Sequence, residues 1–435
     1  MIFQSLAKQT SPQNLELVVQ IFRHGARQAL IEHPMGLLEN AGKVQLYNFG
    51  KILRERYIVE EKLLKEQFDP KQIYFHSSPK NRAMNSLFWL NSGLYPPLEE
   101  LSYEDIREKE LEVIHIQGIS QEMPPLVNIT EDLQHQLHSF KDNIIVQASQ
   151  VKKEYIEIPS GGDLGNLDTF YHAYNICPFI EKFQSEVKYT EESKELEMDS
   201  KDVYATLAHY FNEETTITNQ GQPFDEDKPK LKFIGRFLDY YACNSFMGRD
   251  LPVYTPYILK KMRKYKTQIL DMKFRPSEIR QLCVTEHLHN MKEIMLNKFQ
   301  APSSTILHED LKMMLYSCHD RNLYLLMMAL VSEKSIEDVG YWHYVPPFAS
   351  SISLKVYNIN EQQFEEKKVY DLEKLEIEIY LNDIQLEWRN YNQTRISLKQ
   401  FLNELIPSTV YPIEHLQNLC KTQDIQELRM PIGDL

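Results

Sequence analysis

Residues 15–22 (LELVVQIF) make a short, β-branched and almost wholly apolar run, the pattern of a central parallel strand buried on both faces. The run breaks off at Arg23-His24-Gly25-Ala26-Arg27. After a loop holding Pro34 and Gly36, residues 41–57 set Val44, Tyr47 and Leu53 close to helical spacing, which predicts a helix laid on the sheet. The same strand-loop-helix grammar comes twice more. Ile73-Tyr74-Phe75 leads through Ser77, Ser78 and Pro79 into residues 81–90, where Met84, Leu87 and Phe88 recur at i, i+3 and i+4. Pro79 suits the start of that helix, and Arg82 falls in its first turn. Residues 313–318 form another apolar run, which closes on His319-Asp320 ahead of an apolar helix reaching Ala329.

Between the second and third of these units the character changes. Residues 111–285 are polar and rich in Gln, Lys and Glu, with an acidic stretch at 191–202 and Gly/Pro/Asp-rich breaks near 159–166 and 221–229. Such a segment predicts an inserted, largely helical domain. Alternation returns at 351–356 and 375–381, as in strands with one wet face, which would extend the sheet at an antiparallel edge. Residues 397–406 predict a closing helix that Pro407 stops. The expected fold is α/β: a mostly parallel central sheet flanked by helices, built from residues 1–110 and 286–435, with 111–285 inserted as a mainly helical cap.

At 435 residues the chain exceeds the size at which a single core grows efficiently, about 250 to 300 residues. A hydrophobic fraction of 42% with 11% aromatics excludes a disordered chain. The formal net charge of −14 offers no broad basic face, so no nucleic-acid partner is expected. It also repels anions at long range, so affinity for phosphate has to come from Arg and His gathered in a cleft. The longest apolar stretch, 323–331, falls far short of the roughly 20 residues of a membrane span, and no transmembrane segment is expected. Residues 1–15 have neither a basic start nor an apolar core, so no signal peptide is visible. The five cysteines (177, 243, 283, 318 and 420) have no zinc spacing; Cys318 belongs to a buried strand, and the other four allow three pairings. His287-Leu288-His289 and the pair His135/His138 have near-ligand spacing without acidic partners, so no metal is assigned. Asn128-Ile129-Thr130 and Asn392-Gln393-Thr394 match the glycosylation sequon, a pattern that recurs by chance in a chain of this length.

Open α/β sheets bind ligands at the carboxyl ends of their strands, and three such ends carry polar cargo here: Arg23, His24 and Arg27 at the first, Arg82 beyond the second, His319 and Asp320 at the third. These residues resemble the histidine acid phosphatases, a branch of the histidine phosphatase superfamily, whose signature Arg-His-Gly-x-Arg-x-Pro is similar to Arg23-His24-Gly25-Ala26-Arg27-Gln28-Ala29. Gly42, Gln45, Gly50 and Leu53-Arg54-x-Arg56-Tyr57 look like the family's next helix. Ser78, Arg82, Ser86 and residues 93–96 (GLYP) look like its third catalytic segment. Tyr316-Ser317-Cys318-His319-Asp320 is similar to its His-Asp motif, and residues 346–350 (PPFAS) to the strand entry that follows. The departures are Ala29 in place of the motif proline, which removes a φ constraint from the loop, Pro79 where an acid is often found, and Arg321-Asn322 where Thr is common.

The resemblance implies an acid phosphomonoesterase working through a phosphohistidine on His24, with Asp320 as the proton donor. Arg23 and Arg27 beside His24 disfavour its protonation by like-charge repulsion, which keeps the imidazole nucleophilic in mild acid. Arg23, Arg27, Arg82 and His319 would bind the substrate phosphate, Arg because its planar fork meets two oxygens at once. Gly25 would let the backbone approach the phosphate closely. These charges do the work that Mg²⁺ does in other phosphoryl transfers, so neither a metal nor another cofactor is expected. The expected partner is a small-molecule phosphate monoester; oligomeric state is not readable, and the resemblance implies a lysosomal, vacuolar or secreted setting, although no leader is visible in this sequence. Three alternatives compete. One is an inositol-phosphate or phytase-like phosphatase of the same family, its preference set by residues 111–285. A phosphomutase-like or regulatory branch is disfavoured, because those members usually lack the second motif Arg and the His-Asp pair. A non-catalytic phospho-ligand binder is hinted at by Ala29 and Arg321-Asn322 and opposed by the intact His24 and Asp320.

Overall fold

The computed structural model describes residues 14–31, 36–78, 80–96, 170–171, 177–213, 217, 222–246, 248–249, 251–300, 310–339, 346–359 and 370–421. Pro79, Asn128, His135, His138 and the break at 159–166 lie outside the described residues. Strand β1 (Asn14–Arg23) and strand β2 (Ile73–Ser77) each pair in parallel with β3 (Met313–Cys318). Ser317 of β3 stands opposite both Phe22 and Ser77, so the three strands finish at one level. On its other side β1 runs antiparallel to β4 (Ser351–Asn358), and β4 to β5 (Leu375–Leu381). Strands β6 (Ile384–Leu386) and β7 (Arg395–Ser397) both pair antiparallel with β5. The result is a mixed seven-stranded sheet with a parallel core, in the order β2-β3-β1-β4-β5-β6.

The apolar runs divide by period two between two helical layers, as strands buried on both faces must. Val18 and Phe22 of β1, with Met313 and Leu315 of β3, face helices α1 (Asn40–Arg54) and α2 (Asn81–Leu94). The next helices, α3 (Pro178–Val187), α4 (Glu191–Asp199), α5 (Lys201–Glu213), α6 (Leu231–Phe246) and α7 (Pro256–Phe274), follow in the chain. The start of α7 is written locally: Pro256 takes the first helical position, and the Thr255 hydroxyl accepts the Ile258 N–H at 3.3 Å, satisfying an otherwise orphan donor. Residues of α4 to α7 build a separate apolar cluster that also takes in Ala26, Ala29, Ala41 and Phe348. These helices therefore sit directly over the loop that follows β1. Helices α8 (Ser277–Phe299) and α9 (Asp320–Leu330) cover the opposite face with Leu17, Val19, Ile21, Met314 and Tyr316, and α8 joins that cluster from Ile279 in its first turn.

Three expectations change. The polar face of β4 is buried over its first half, where the strand lies between β1 and β5: Ser351 and Ser353 are buried, with the Ser353 hydroxyl donating to Gln20 Oε1 at 2.7 Å across the pair, and only Lys355 and Tyr357 further along that face are partly exposed. Pro407 does not stop the closing helix, which passes from Leu398–Gln400 through a π-helical turn, Phe401–Leu405, to Ile406–Thr409. The wider turn just upstream gives room to a proline ring that has no N–H to donate. Of the four cysteines left open, only Cys177 and Cys420 are joined, while Cys243, Cys283 and Cys318 are buried thiols. The bridge ties the start of α3 to the helix Ile413–Lys421 across a sequence separation of 243.

The two histidines at 287 and 289 point to separate partners: His287 stacks on Phe170 with ring centroids 4.0 Å apart, and His289 Nε2 lies 2.9 Å from the Tyr411 carbonyl. Burial pushes the His287 imidazole down to about 3 and, on β2, that of His76 to about 4.

Two stability measurements follow. The Cys177→Ser/Cys420→Ser variant is expected to lose about 2 to 5 kcal/mol in a urea titration, because closing so long a loop restricts the unfolded chain; an unchanged urea midpoint would show that the bridge adds nothing. The buried imidazoles act through the unfolded state, which takes up protons below its ordinary His pKa of about 6.5 while the folded state does not. Stability should fall as pH drops from about 8 to about 5, by up to about 2 kcal/mol for each such histidine. His287→Phe should flatten that slope by about one proton, and an unaltered slope would count against burial of a neutral His287.

Candidate active site

His24 continues the line of β1. Its N–H donates to the Cys318 carbonyl at 3.0 Å and its own carbonyl accepts from Ala349 at 3.2 Å, so the residue is held between the end of β3 and the entry to β4. The loop beyond closes on itself, with Gln28 N–H on Leu37 O at 2.9 Å and Glu39 N–H on Ala26 O at 3.0 Å. Two side chains from the covering helices fix its first turn. Ser86 of α2 accepts the Gly25 N–H at 3.0 Å; Gln45 of α1 accepts the Ala26 N–H at 3.2 Å and donates to Phe348 O at 3.1 Å. Packing alone already requires glycine at 25: a Cβ there would stand 2.5 Å from Gly42 O and 2.6 Å from the Leu46 side chain. Helix α1 occupies the space a side chain would need.

The His24 ring is buried, and its Nδ1 lies 2.9 Å from the Gly25 carbonyl. In the neutral ring Nδ1 then carries the proton and donates, which leaves the lone pair on Nε2. Arg82 donates its Nε–H to that Nε2 at 3.1 Å, consistent with the same tautomer. Burial, more than any neighbouring charge, holds the imidazole well below its ordinary pKa, with Arg23, Arg82, His319 and Arg27 adding to the effect in that order. The sequence pointed to the two flanking arginines; desolvation is the larger cause.

Arg23 lies with its guanidinium carbon 4.2 Å above the Phe348 ring, donates to the Pro346 carbonyl and faces Asp320 at 3.5 Å. Arg27 pairs with Asp239 of α6 through both terminal nitrogens, at 3.1 Å and 2.5 Å, and also reaches the Gln28 carbonyl at 2.8 Å. Burial works against the Arg27 charge, but Asp239 outweighs it and the pKa is raised. Arg82 is lowered to about 10, by burial and then by Arg27, and stays charged. The Nε atoms of Arg23 and Arg27 are buried and make no hydrogen bond among the described residues. A desolvated cationic donor without an acceptor costs free energy until an acceptor arrives.

His319 caps α9. Its N–H donates to Asn322 Oδ1 at 2.8 Å, its Nε2 lies 2.8 Å from the Ser78 hydroxyl at the end of β2, and its ring stands 5.3 Å from that of His24. Asp320 is the first residue of α9, about a third exposed in its side chain (33%), and accepts the Arg321 N–H at 2.8 Å. Burial raises its pKa, but Arg23 foremost, then Lys266 of α7 and His319, overcome this and bring it to about 2. Arg321 donates to the Tyr171 carbonyl at 3.4 Å and is lowered to about 10 by burial and by the charge of Arg82. Cys318, by contrast, is a fully buried thiol pushed well above its ordinary pKa by desolvation, which leaves it unreactive.

All six residues singled out in the sequence, Arg23, His24, Arg27, Arg82, His319 and Asp320, meet at the edge where the three parallel strands end. Gln45, Ser78 and Ser86 stood in matching segments without a role; each now holds a backbone group or ring of the site. Asp239 was missed altogether. It sits four residues before the buried Cys243 in an apolar helix, and its partner is 212 residues away in the chain.

Comparison with known proteins gives the same frame. The histidine phosphatase superfamily (branch 2) matches residues 28–370. A Caenorhabditis elegans protein named "Putative acid phosphatase 10" is 33% identical over 96 residues, which is 19% of this chain and 23% of the relative, so the chain spans under a quarter of that relative's length. Two solved structures share the fold at low identity. Hafnia alvei phytase in complex with myo-inositol hexakis sulphate aligns with a TM-score of 0.53 and 12% identity, over 93% of this chain and 98% of that one. The phytase from Citrobacter braakii aligns with a TM-score of 0.52 and 12% identity, over 92% and 98%. With its parallel strand ends and the matched span taken together, the chain belongs to branch 2 of the histidine phosphatase superfamily.

Proposed function

We propose that this protein is an acid phosphomonoesterase that works through a phosphohistidine on His24, with Asp320 as proton donor and Arg23, Arg27, Arg82 and His319 on the phosphate. The observation that carries the reading is the lone pair on His24 Nε2, set among three guanidinium groups of which two hold buried Nε donors lacking an acceptor among the described residues. A phosphate oxyanion satisfies those donors, draws Arg82 off the imidazole and brings phosphorus to Nε2. The P–N bond forms as the P–O bond to the alcohol breaks, and Asp320 gives its proton to the leaving oxygen. Water then attacks the phosphohistidine, its proton returns to the Asp320 carboxylate, and inorganic phosphate leaves a neutral His24.

The resting Asp320 is ionised because Arg23 and Lys266 hold it so. In mild acid the substrate binds as its monoanion, and its proton passes to Asp320 as the phosphate takes over Arg23. The value of kcat/KM should therefore fall as pH rises through about 6, where phosphate monoesters lose that proton. It should hold on the acid side, where His24 stays neutral.

A second reading, an inositol-phosphate substrate, is favoured by Arg321 and Lys266, whose charges reach Arg82 and Asp320 and exceed what one phosphate group needs. The similar fold of the Hafnia alvei phytase bound to myo-inositol hexakis sulphate is in keeping with it. Comparison of kcat/KM on phytate and on simple monoesters separates the two readings. The Cys177–Cys420 bridge supports residence in an oxidising compartment.

Hydrolysis of an aryl phosphate between about pH 4 and 8 is the direct test, and EDTA should leave it unchanged because the clamp is made of side-chain cations. His24→Ala should lower kcat by about a thousandfold or more. Asp320→Ala should cost about a hundredfold or more on alkyl phosphates, and less on aryl phosphates whose leaving group needs no proton. Absence of turnover by the wild type at every pH would sink the enzymatic reading.

A further inference from the structure

Asp239 belongs to none of the motifs, yet it makes the shortest contacts of the phosphate loop with the helices above it. We propose that Asp239 is a positioning residue for the transferring phosphate, acting through Arg27; this rests on the phosphatase reading above. Both carboxylate oxygens are committed to one guanidinium edge, Oδ2 to Nη1 at 3.1 Å and Oδ1 to Nη2 at 2.5 Å. Oδ2 also accepts the Leu30 N–H at 2.9 Å. One side chain of α6 therefore fixes the arginine head and the backbone three residues further along the same loop.

The geometry decides which part of Arg27 is left for substrate. A guanidinium has two edges able to meet a pair of oxygens, one made by the two terminal nitrogens and one made by Nε with its neighbouring terminal nitrogen. Asp239 takes the first. Nε, on the second, is buried without an acceptor among the described residues. The carboxylate thus turns the side edge of Arg27 towards an incoming oxyanion and removes the freedom to swing away from it.

Ala29 and Ala26 on this loop pack into the cluster built by α4 to α7, so the ion pair is anchored on a well-packed surface and not on a mobile rim. Side chains of Arg27 and Asp239 are only 5% and 17% exposed, which keeps solvent from screening the pair. Asparagine could not substitute: it offers one oxygen, and its amide N–H would face a guanidinium N–H.

Net charge and positioning make opposite predictions for Asp239→Asn, which makes the proposal testable. Deleting a negative charge beside three arginines should tighten phosphate binding if Asp239 serves only to balance charge. If it positions Arg27, inorganic phosphate should bind about tenfold more weakly, and kcat/KM should fall by about 10- to 100-fold, the usual effect of loosening a supporting contact. In the Arg27→Ala background, Asp239→Asn should have no further effect, since residues acting through one another are not additive. The full chain is used throughout, with inorganic phosphate binding read by calorimetry and turnover read on an aryl phosphate.

Unchanged kcat/KM, tighter phosphate binding, or effects that add in the double variant would each overturn the assignment. Should Asp239→Asn not fold, Asp239→Glu keeps both acceptors on a longer arm; it should fold and still bind phosphate more weakly, and wild-type affinity there would equally overturn it. If the wild type binds phosphate but hydrolyses nothing, the phosphatase reading fails while the binding comparison still decides the role of Asp239.

Discussion

A neutral imidazole buried among guanidinium groups is the constraint to which the rest of the structure answers. Taking a cation out of water costs several kcal/mol unless partners replace its hydration, and here Arg23, Arg27 and Arg82 are gathered around His24. Each has a different partner. Arg23 leans on Phe348, the Pro346 carbonyl and Asp320; Arg27 is held by Asp239; Arg82 donates to the imidazole itself. Among the described residues the compensation stops short at two Nε donors, which is where the proposed reaction would place an oxyanion. A cluster so poised would relax if its backbone could move, and the fold prevents this with three level strand ends, the Ser86 and Gln45 hydrogen bonds, and a glycine pressed against α1.

Much of this frame was written in the sequence because buried strands declare themselves twice, by an apolar run and by the abruptness of its polar end. For the strands ending at Arg23 and Cys318 both signals are local, and the residues just beyond are the ones that meet. What was not legible depends on contacts distant in the chain. The glycine at 25 gives no sign in sequence of the helix some seventeen residues on that packs too near for a Cβ. The alternation of Ser351, Ser353 and Lys355 with apolar residues in β4 reads as a wet face, but a serine that bonds Gln20 across the sheet is as polar in sequence as one that meets water. Asp239 gave no signal at all, since an acid in an apolar helix is silent until its partner is known.

The helices of residues 191–274 contribute more to the site than a cover. Asp239 on α6 fixes an arginine of the loop, Lys266 on α7 acts on the charge of Asp320, and Phe348, the platform under Arg23, belongs to the same apolar cluster. In the proposed reaction, substrate preference and phosphoryl transfer would therefore draw on one packed unit. A change in how these helices sit alters not only the room for the leaving group but also the edge of Arg27 presented to phosphorus.

Arg23 links the two halves of the proposed reaction because one cation serves two anions in turn. At 3.5 Å its attraction for the Asp320 carboxylate is about 5 kcal/mol at an effective dielectric of about 20, less whatever solvent screening takes at a partly open side chain. With Lys266 and His319 it keeps the carboxyl ionised against the desolvation that opposes it. A phosphate entering the cluster competes for the same guanidinium and brings negative charge of its own close to the carboxylate. Both changes act in one direction, raising the proton affinity of Asp320 when, and only when, a phosphate is in place. In the reaction we propose, the donor would thus be armed by the substrate, and an empty site would hold no proton that it could lose to solvent.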